Sequence, residues 1–129
     1  MQSKHAIRSE RAPAAIGPYS QAITANGMVF TAGVIPLDPE TMQISGHDIR
    51  SQAQQVMANL QGLVEDAGSS LELVVKTTCF LQDLNDFPAF NEVYATYFSG
   101  EAPARSTVQV AKLPMGVLIE IECVALLQE

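Results

Sequence analysis

Apolar positions along this chain change their spacing several times, and each change marks an element. Residues 28–35 are rich in β-branched and aromatic types (Val29, Phe30, Thr31, Val34, Ile35), the composition of a strand. Asn26-Gly27 precedes them with apolar residues on both sides, which is the signature of a two-residue hairpin turn. Pro36 closes the strand, and Asp38-Pro39-Glu40-Thr41 turns the chain. From 48 to 67 the period lengthens. Ile49, Ala53, Val56, Leu60, Leu63, Val64 and Ala67 fall on one helical face, with Arg50, Gln54, Gln61 and Glu65 on the others. That spacing predicts a helix opened by Asp48 and stopped at Gly68.

Residues 73–81 are apolar apart from Lys76, Thr77 and Thr78, as a central strand would be. Residues 83–86 form a turn, and Asp86 is expected to cap a second helix that tolerates Pro88 in its first turn. Phe90, Val93, Tyr94, Tyr97 and Phe98 mark the buried face of that helix. Two more strands are expected at 104–111 and 117–126, while 12–20, with two prolines and a glycine, is irregular. His5 is assigned to a free N-terminal end and His47 to the surface. The order of elements gives one domain over residues 1–129, an α+β fold with both helices on one face of the sheet. The opposite face then needs cover, and a second copy of the chain is the simplest cover.

Charge narrows the partners. The formal net charge is −7, and the seven basic residues stand singly at Lys4, Arg8, Arg11, Arg50, Lys76, Arg105 and Lys112. A polynucleotide needs a basic track, so no nucleic-acid partner is expected. A small anion gripped by one cation remains open. No apolar run reaches the ~20 residues of a membrane helix, and the first residues lack the apolar stretch of a signal peptide. A cytoplasmic address and no membrane partner are the resulting expectations. Cys79 and Cys123 lie in apolar runs without a CxxC partner or a histidine at ligand spacing. They are read as small buried hydrophobes, and no metal site is expected.

The last two strands carry the chemistry. In 117–125 the odd positions are apolar, which puts Glu120 and Glu122 together on the other face. In 104–111, Val108 and Val110 form the apolar set and Arg105, Thr107 and Gln109 the polar one. If both apolar sets meet the helices, Arg105 and Thr107 share a face with Glu120 and Glu122, opposite the helices. On spacing alone this could equally be an ion pair fixing a subunit interface.

Six blocks in order resemble the Rid (YjgF/YER057c) family: Ala12-Pro13-Ala14-Ala15-Ile16-Gly17-Pro18-Tyr19, Thr31-Ala32-Gly33, Lys76-Thr77-Thr78, Asp83-Leu84-Asn85-Asp86-Phe87, Pro103-Ala104-Arg105-Ser106, and Leu113-Pro114 through Ile119-Glu120-Ile121-Glu122. The resemblance spans about residues 7–125. It implies a chorismate-mutase-like fold, a homotrimer with clefts between subunits, and hydrolysis of reactive 2-imino acids or enamines to 2-oxo acids and ammonia, without metal or organic cofactor. It also implies roles. Arg105 clamps the substrate carboxylate, and Glu120 holds the attacking water with help from the Thr107 backbone carbonyl. Tyr19 and Gly33 line the cleft, as does Asn91. Departures stand out at three positions: many members carry Ser at Ala32 and Cys at Thr107, and Gln is common at Val34. The change at 32, with Val34, makes one wall more apolar. Two other readings stay in view: a non-catalytic carboxylate binder or chaperone-like scaffold, and an RNA-cleaving translation inhibitor.

Overall fold

The computed structural model describes residues 3–129. Six strands form one mixed sheet in the order β1-β2-β3-β6-β4-β5. They are β1 (Lys4–Ile7), β2 (Ala22–Ala25), β3 (Met28–Thr31), β4 (Val74–Leu81), β5 (Ala104–Gln109) and β6 (Ile119–Leu126). Two helices, α1 (Ile49–Asp66) and α2 (Phe87–Tyr97), pack together on one face. The α+β expectation holds, with both helices on the same side.

The hairpin at Asn26-Gly27 forms as read, both residues taking positive φ (52° and 75°), which a tight two-residue turn requires. Asp48 accepts the Ser51 N–H at 2.7 Å and starts α1. Asp86 does not act as a side-chain cap for α2. The chain enters that helix through a short 3₁₀ turn at Leu84–Asp86, and it is Asp83 that accepts a backbone N–H, from Asn85 at 2.9 Å. Nor is the N-terminal end free: His5 sits in β1, paired with Thr24 of β2.

The larger correction concerns sheet order. β5 and β6 are not neighbours. β4 lies between them, parallel to β5 and antiparallel to β6, with Thr77 opposite both Arg105 and Cys123 and Cys79 opposite both Thr107 and Ile121. A parallel pair needs a crossover, and α2 supplies it between β4 and β5. Thr77, Cys79, Leu81, Ile119, Ile121 and Cys123 are buried beneath the helices. Arg105 and Thr107 share that face, while Glu120 and Glu122 stand opposite Phe80 and Thr78 on the other. The expected common face for Arg105 and Glu120 is therefore wrong. Its premise fails because Val108 of the edge strand β5 turns away from the helices and is 44% exposed.

That open face is itself apolar in large part: Phe30 and Leu126 lie on it with Val108, and each is at least 40% exposed. Beneath the helices, two buried amides tie the loops near the sheet end to α1. Asn59 donates to the carbonyls of Ile35 and Leu37 at 3.1 and 2.8 Å. Gln52 donates to Gly46 at 3.2 Å and accepts the Leu118 N–H at 2.7 Å. Among the described residues no helix is long and apolar enough to cross a membrane.

Candidate active site

One half of the site begins with an irregularity in β3. The Cys123 N–H bonds to the hydroxyl of Thr31 at 3.0 Å. Beyond Thr31 the strand leaves the ladder and touches β6 again only at Val34, which exchanges two backbone bonds with Ile121 at 2.8 and 3.0 Å. Ala32 and Gly33 thus span the place where β6 has only Glu122, a one-residue bulge. The bulge lays Gly33 against the Glu120 side chain, so that a Cβ at position 33 would fall 2.7 Å from the Glu120 Cδ. Only glycine leaves room for that carboxylate.

Glu120 is half-buried, and burial, followed by the charge of Glu122, raises its pKa above the ordinary value. Tyr19 stands on the same cavity of about 410 Å³, together with Gly33 and Glu120. The Tyr19 hydroxyl accepts the Ile16 N–H at 3.2 Å. Its own proton stays free to donate. This half is therefore a half-buried carboxyl of raised pKa, a phenol hydroxyl and a close-approach glycine on one cavity.

The other half is built around a cation. The Arg105 guanidinium lies over three rings of α2 and its start: Tyr94 at 4.7 Å, Phe87 at 5.2 Å and Phe90 at 5.6 Å. Tyr94 is in turn fixed by a 2.8 Å hydrogen bond between its hydroxyl and Thr77 Oγ1. Among the described residues no carboxylate pairs with Arg105, whereas Arg11 and Arg50 both hold carboxylates. Rings orient the guanidinium without neutralising it, so its donors remain available to an anion. Asn91, half-buried, follows Phe90 on α2.

Thr107 contributes along β5. The Val110 N–H bonds to the Leu81 carbonyl at 3.0 Å. Parallel ladders bond at alternate residues, so even positions of β5 face β4 and the N–H and C=O of Arg105 and Thr107 point to the free edge. The Thr107 hydroxyl is buried without a hydrogen-bond partner. Nearby, burial pushes the Cys79 thiol up to about 11, and that of Cys123 up to about 12, so both are inert thiols at neutral pH.

The structure thus brings Tyr19, Gly33 and Glu120 together, and separately gathers Arg105, Thr107 and Asn91 on the β5–α2 edge. Within one protomer it does not unite the two groups, which project from opposite faces of the sheet. A family model described as Endoribonuclease L-PSP matches residues 9–127. The chain belongs to this family, the Rid family. It is 55% identical over 123 residues to a RutC family protein of Synechocystis, covering 94% of this chain and 95% of that one. It is 49% identical to the chloroplastic Reactive Intermediate Deaminase A of Arabidopsis thaliana, over 96% of this chain and 66% of the plant protein. Among solved structures, E. coli TdcF with bound serine superposes with a TM-score of 0.90 at 42% identity, covering 96% of this chain and 99% of that one. The chloroplastic Rid relative shows that address varies between members.

Sequence reasoning assigned Phe90 and Tyr94 of this Rid chain to the core, and missed their second use as the platform under Arg105. The signal was present in the aromatic spacing of Phe87, Phe90 and Tyr94, which repeats at three and four residues. Among the described residues, no group of three or more His, Cys, Asp or Glu side chains is arranged to hold a metal ion.

Proposed function

We propose that this Rid chain hydrolyses 2-imino acids, or their enamine tautomers, to 2-oxo acids and ammonia in a cleft shared by two subunits of a homotrimer. The observation that carries the reading is the division of the site. An unneutralised guanidinium lies on one face, a carboxyl of raised pKa on the other, and the apolar open face invites another copy. A neighbouring protomer can set its Glu120, Tyr19 and Gly33 against the Arg105, Thr107 and Asn91 of the first.

In such a cleft Arg105 forks the two carboxylate oxygens, presenting C2 of the imine at a fixed angle. Glu120 accepts a proton from water as the oxygen bonds to C2 and the C=N π electrons move to nitrogen. The same carboxyl returns that proton to nitrogen and then relays the remaining hydroxyl proton the same way, so that the C–N bond breaks, ammonia leaves and the oxygen closes to the C=O of the 2-oxo acid. The Thr107 carbonyl and the Tyr19 hydroxyl help place water and leaving nitrogen, and Asn91 closes the carboxylate end. Support comes from the deaminase relative and from the serine held by TdcF, whose carboxylate adjoins a nitrogen-bearing carbon as in an imino acid. Ribonuclease activity fits this chain less well, because Arg11 and Arg50 are bound to carboxylates and the net charge is −7.

The test is to generate 2-iminobutanoate or 2-iminopropanoate in situ and follow oxo-acid release. Wild type accelerates it and Arg105→Ala does not. Equal acceleration by both would refute the clamp. A protein that binds 2-oxo acids without turnover would establish the non-catalytic alternative.

A further inference from the structure

The cavity beside Glu120 is larger and less polar than a one- or two-carbon substituent requires. Its volume of about 410 Å³ lies in the range of pockets that hold whole small molecules. Among the described residues, Tyr19, Gln21 and Glu120 are its only polar side chains. Gln21 is already spent: its amide nitrogen donates to the carbonyls of Ser9, Ala12 and Pro13 at 3.0, 3.3 and 2.8 Å, and its oxygen accepts the Ser9 N–H at 2.7 Å. Tyr19 and Glu120 belong to the proposed chemistry. The remaining wall is aliphatic or thioether, including Ile16, Ala32, Val34, Ile35, Met42 and Met115.

Two of those residues are held unusually. Met42 and Met115 have φ of 61° and 58°, and with Asn26 they are the three non-glycine residues at positive φ among those described. An unbranched apolar residue seldom adopts that conformation, and where it persists the surrounding structure enforces it. Both line the same cavity. Methionine is flexible and polarisable, so a wall bearing two of them adapts to apolar groups of differing shape. A substrate hydroxyl entering there would lose water and find no free side-chain partner beyond the catalytic pair.

We infer that this cavity receives the 2-substituent of the substrate, and that the preferred substrates are 2-imino acids with bulky apolar substituents: branched aliphatic, thioether or aromatic. The inference rests on the deaminase reading and narrows its substrate class. The reacting carbon lies at the mouth, between Arg105 of one protomer and Glu120 of the next. The substituent extends past Ala32 and Val34 toward Met42.

The experiment compares 2-iminopropanoate, 2-imino-4-methylpentanoate and 2-imino-3-phenylpropanoate, generated in situ from the corresponding amino acids by an amino-acid oxidase. Each added methylene that fills a matching pocket is worth about tenfold or more in discrimination. The kcat/KM for the larger two is therefore expected to exceed that for 2-iminopropanoate by at least about tenfold. Hydrolysis of all three with the smallest preferred or equal would overturn the inference and leave the deaminase reading intact. Hydrolysis of none would remove both. In Ala32→Leu, which fills the cavity from a half-buried position, the large-to-small ratio should fall about tenfold; an unchanged ratio would place the substituent elsewhere. Should that variant not fold, calorimetry on wild type decides: 2-oxo-4-methylpentanoate is expected to bind more tightly than 2-oxopropanoate, and weaker or equal binding overturns the assignment.

Discussion

A methyl group at position 33 would overlap Glu120 Oε2 and come within 3.2 Å of its Cγ. The obstacle is the far end of a flexible side chain, and Gly33 does not have positive φ, so the fold can accept Gly33→Ala while the carboxylate cannot stay where it is. Displacements of that size cost about 100-fold in rate at a positioned reacting group. Gly33→Ala is accordingly expected to lower kcat about 100-fold with a thermal midpoint near that of wild type, as read by calorimetry. Glu120 itself is a charge the fold would rather not hold. Burial raises its pKa above the ordinary 4.5, so between that pH and the raised value the folded state binds more protons than the unfolded state. Stability from this group is complete below pH 4.5 and is lost as pH rises through the folded-state pKa. Glu120→Gln should therefore match wild type in stability near pH 4 and exceed it at pH 7, while losing activity. A stability gap that is constant with pH would show that the carboxyl is not strained by burial. Arg105→Lys keeps the charge but neither the planar fork nor the stacking on Phe87, Phe90 and Tyr94. Its kcat/KM is expected to fall about 10- to 100-fold, the worth of one lost bond to a charged group. The positions of Arg105, Glu120, Tyr19 and Gly33 were legible because they stand in the matched blocks, and the roles proposed for them rest on that resemblance. The bulge that brings Gly33 to Glu120 was not, since it is defined by a partner strand about 90 residues away.

Elements with strong local periodicity could be read directly, and those whose identity depends on distant partners could not. The run from Ile49 to Asp66 repeats its apolar positions at helical spacing, and a helix stands there. Yet the same pattern hides Gln52 and Asn59, which are buried beside it. Their reason is tertiary: each satisfies backbone groups of a loop the helix covers. Asn59→Ala would leave the Leu37 carbonyl without its partner, while that of Ile35 keeps the Leu37 N–H at 2.9 Å, and a buried acceptor left unpaired costs about 1–3 kcal/mol. A loss of about 2 kcal/mol in urea unfolding is expected; a loss below about 0.5 kcal/mol would mean that water replaces the amide. Strand order was beyond the pattern altogether. Alternation assigned Val108 and Val110 to one face correctly, but not which face meets the helices, because both faces of this sheet carry apolar side chains. Arg105 lies under α2 because aromatic rings can shelter a guanidinium stem as they would an aliphatic side chain.

For the molecule as a whole, the proposed reading divides one reaction between the two faces of one sheet, and on that reading assembly is a condition of activity. Phe30, Val108 and Leu126 expose apolar surface on the open face, of the kind that marks a site of association. In the proposed trimer, further copies around a threefold axis would cover it and make three equivalent clefts, each with Arg105 from one protomer and Glu120 from the next. That arrangement has a numerical consequence. Arg105→Ala and Glu120→Gln, each inactive alone, can be co-expressed with different tags and purified through both. Every mixed trimer then holds either two copies of the first and one of the second, or the reverse. In both cases one cleft of the three joins an intact arginine to an intact glutamate. About one third of wild-type activity per trimer is thus expected whatever the mixing ratio. A site confined to a single protomer would leave no intact cleft, so absence of rescue in verified mixed trimers would confine the chemistry to one chain, where the sheet keeps Arg105 and Glu120 apart.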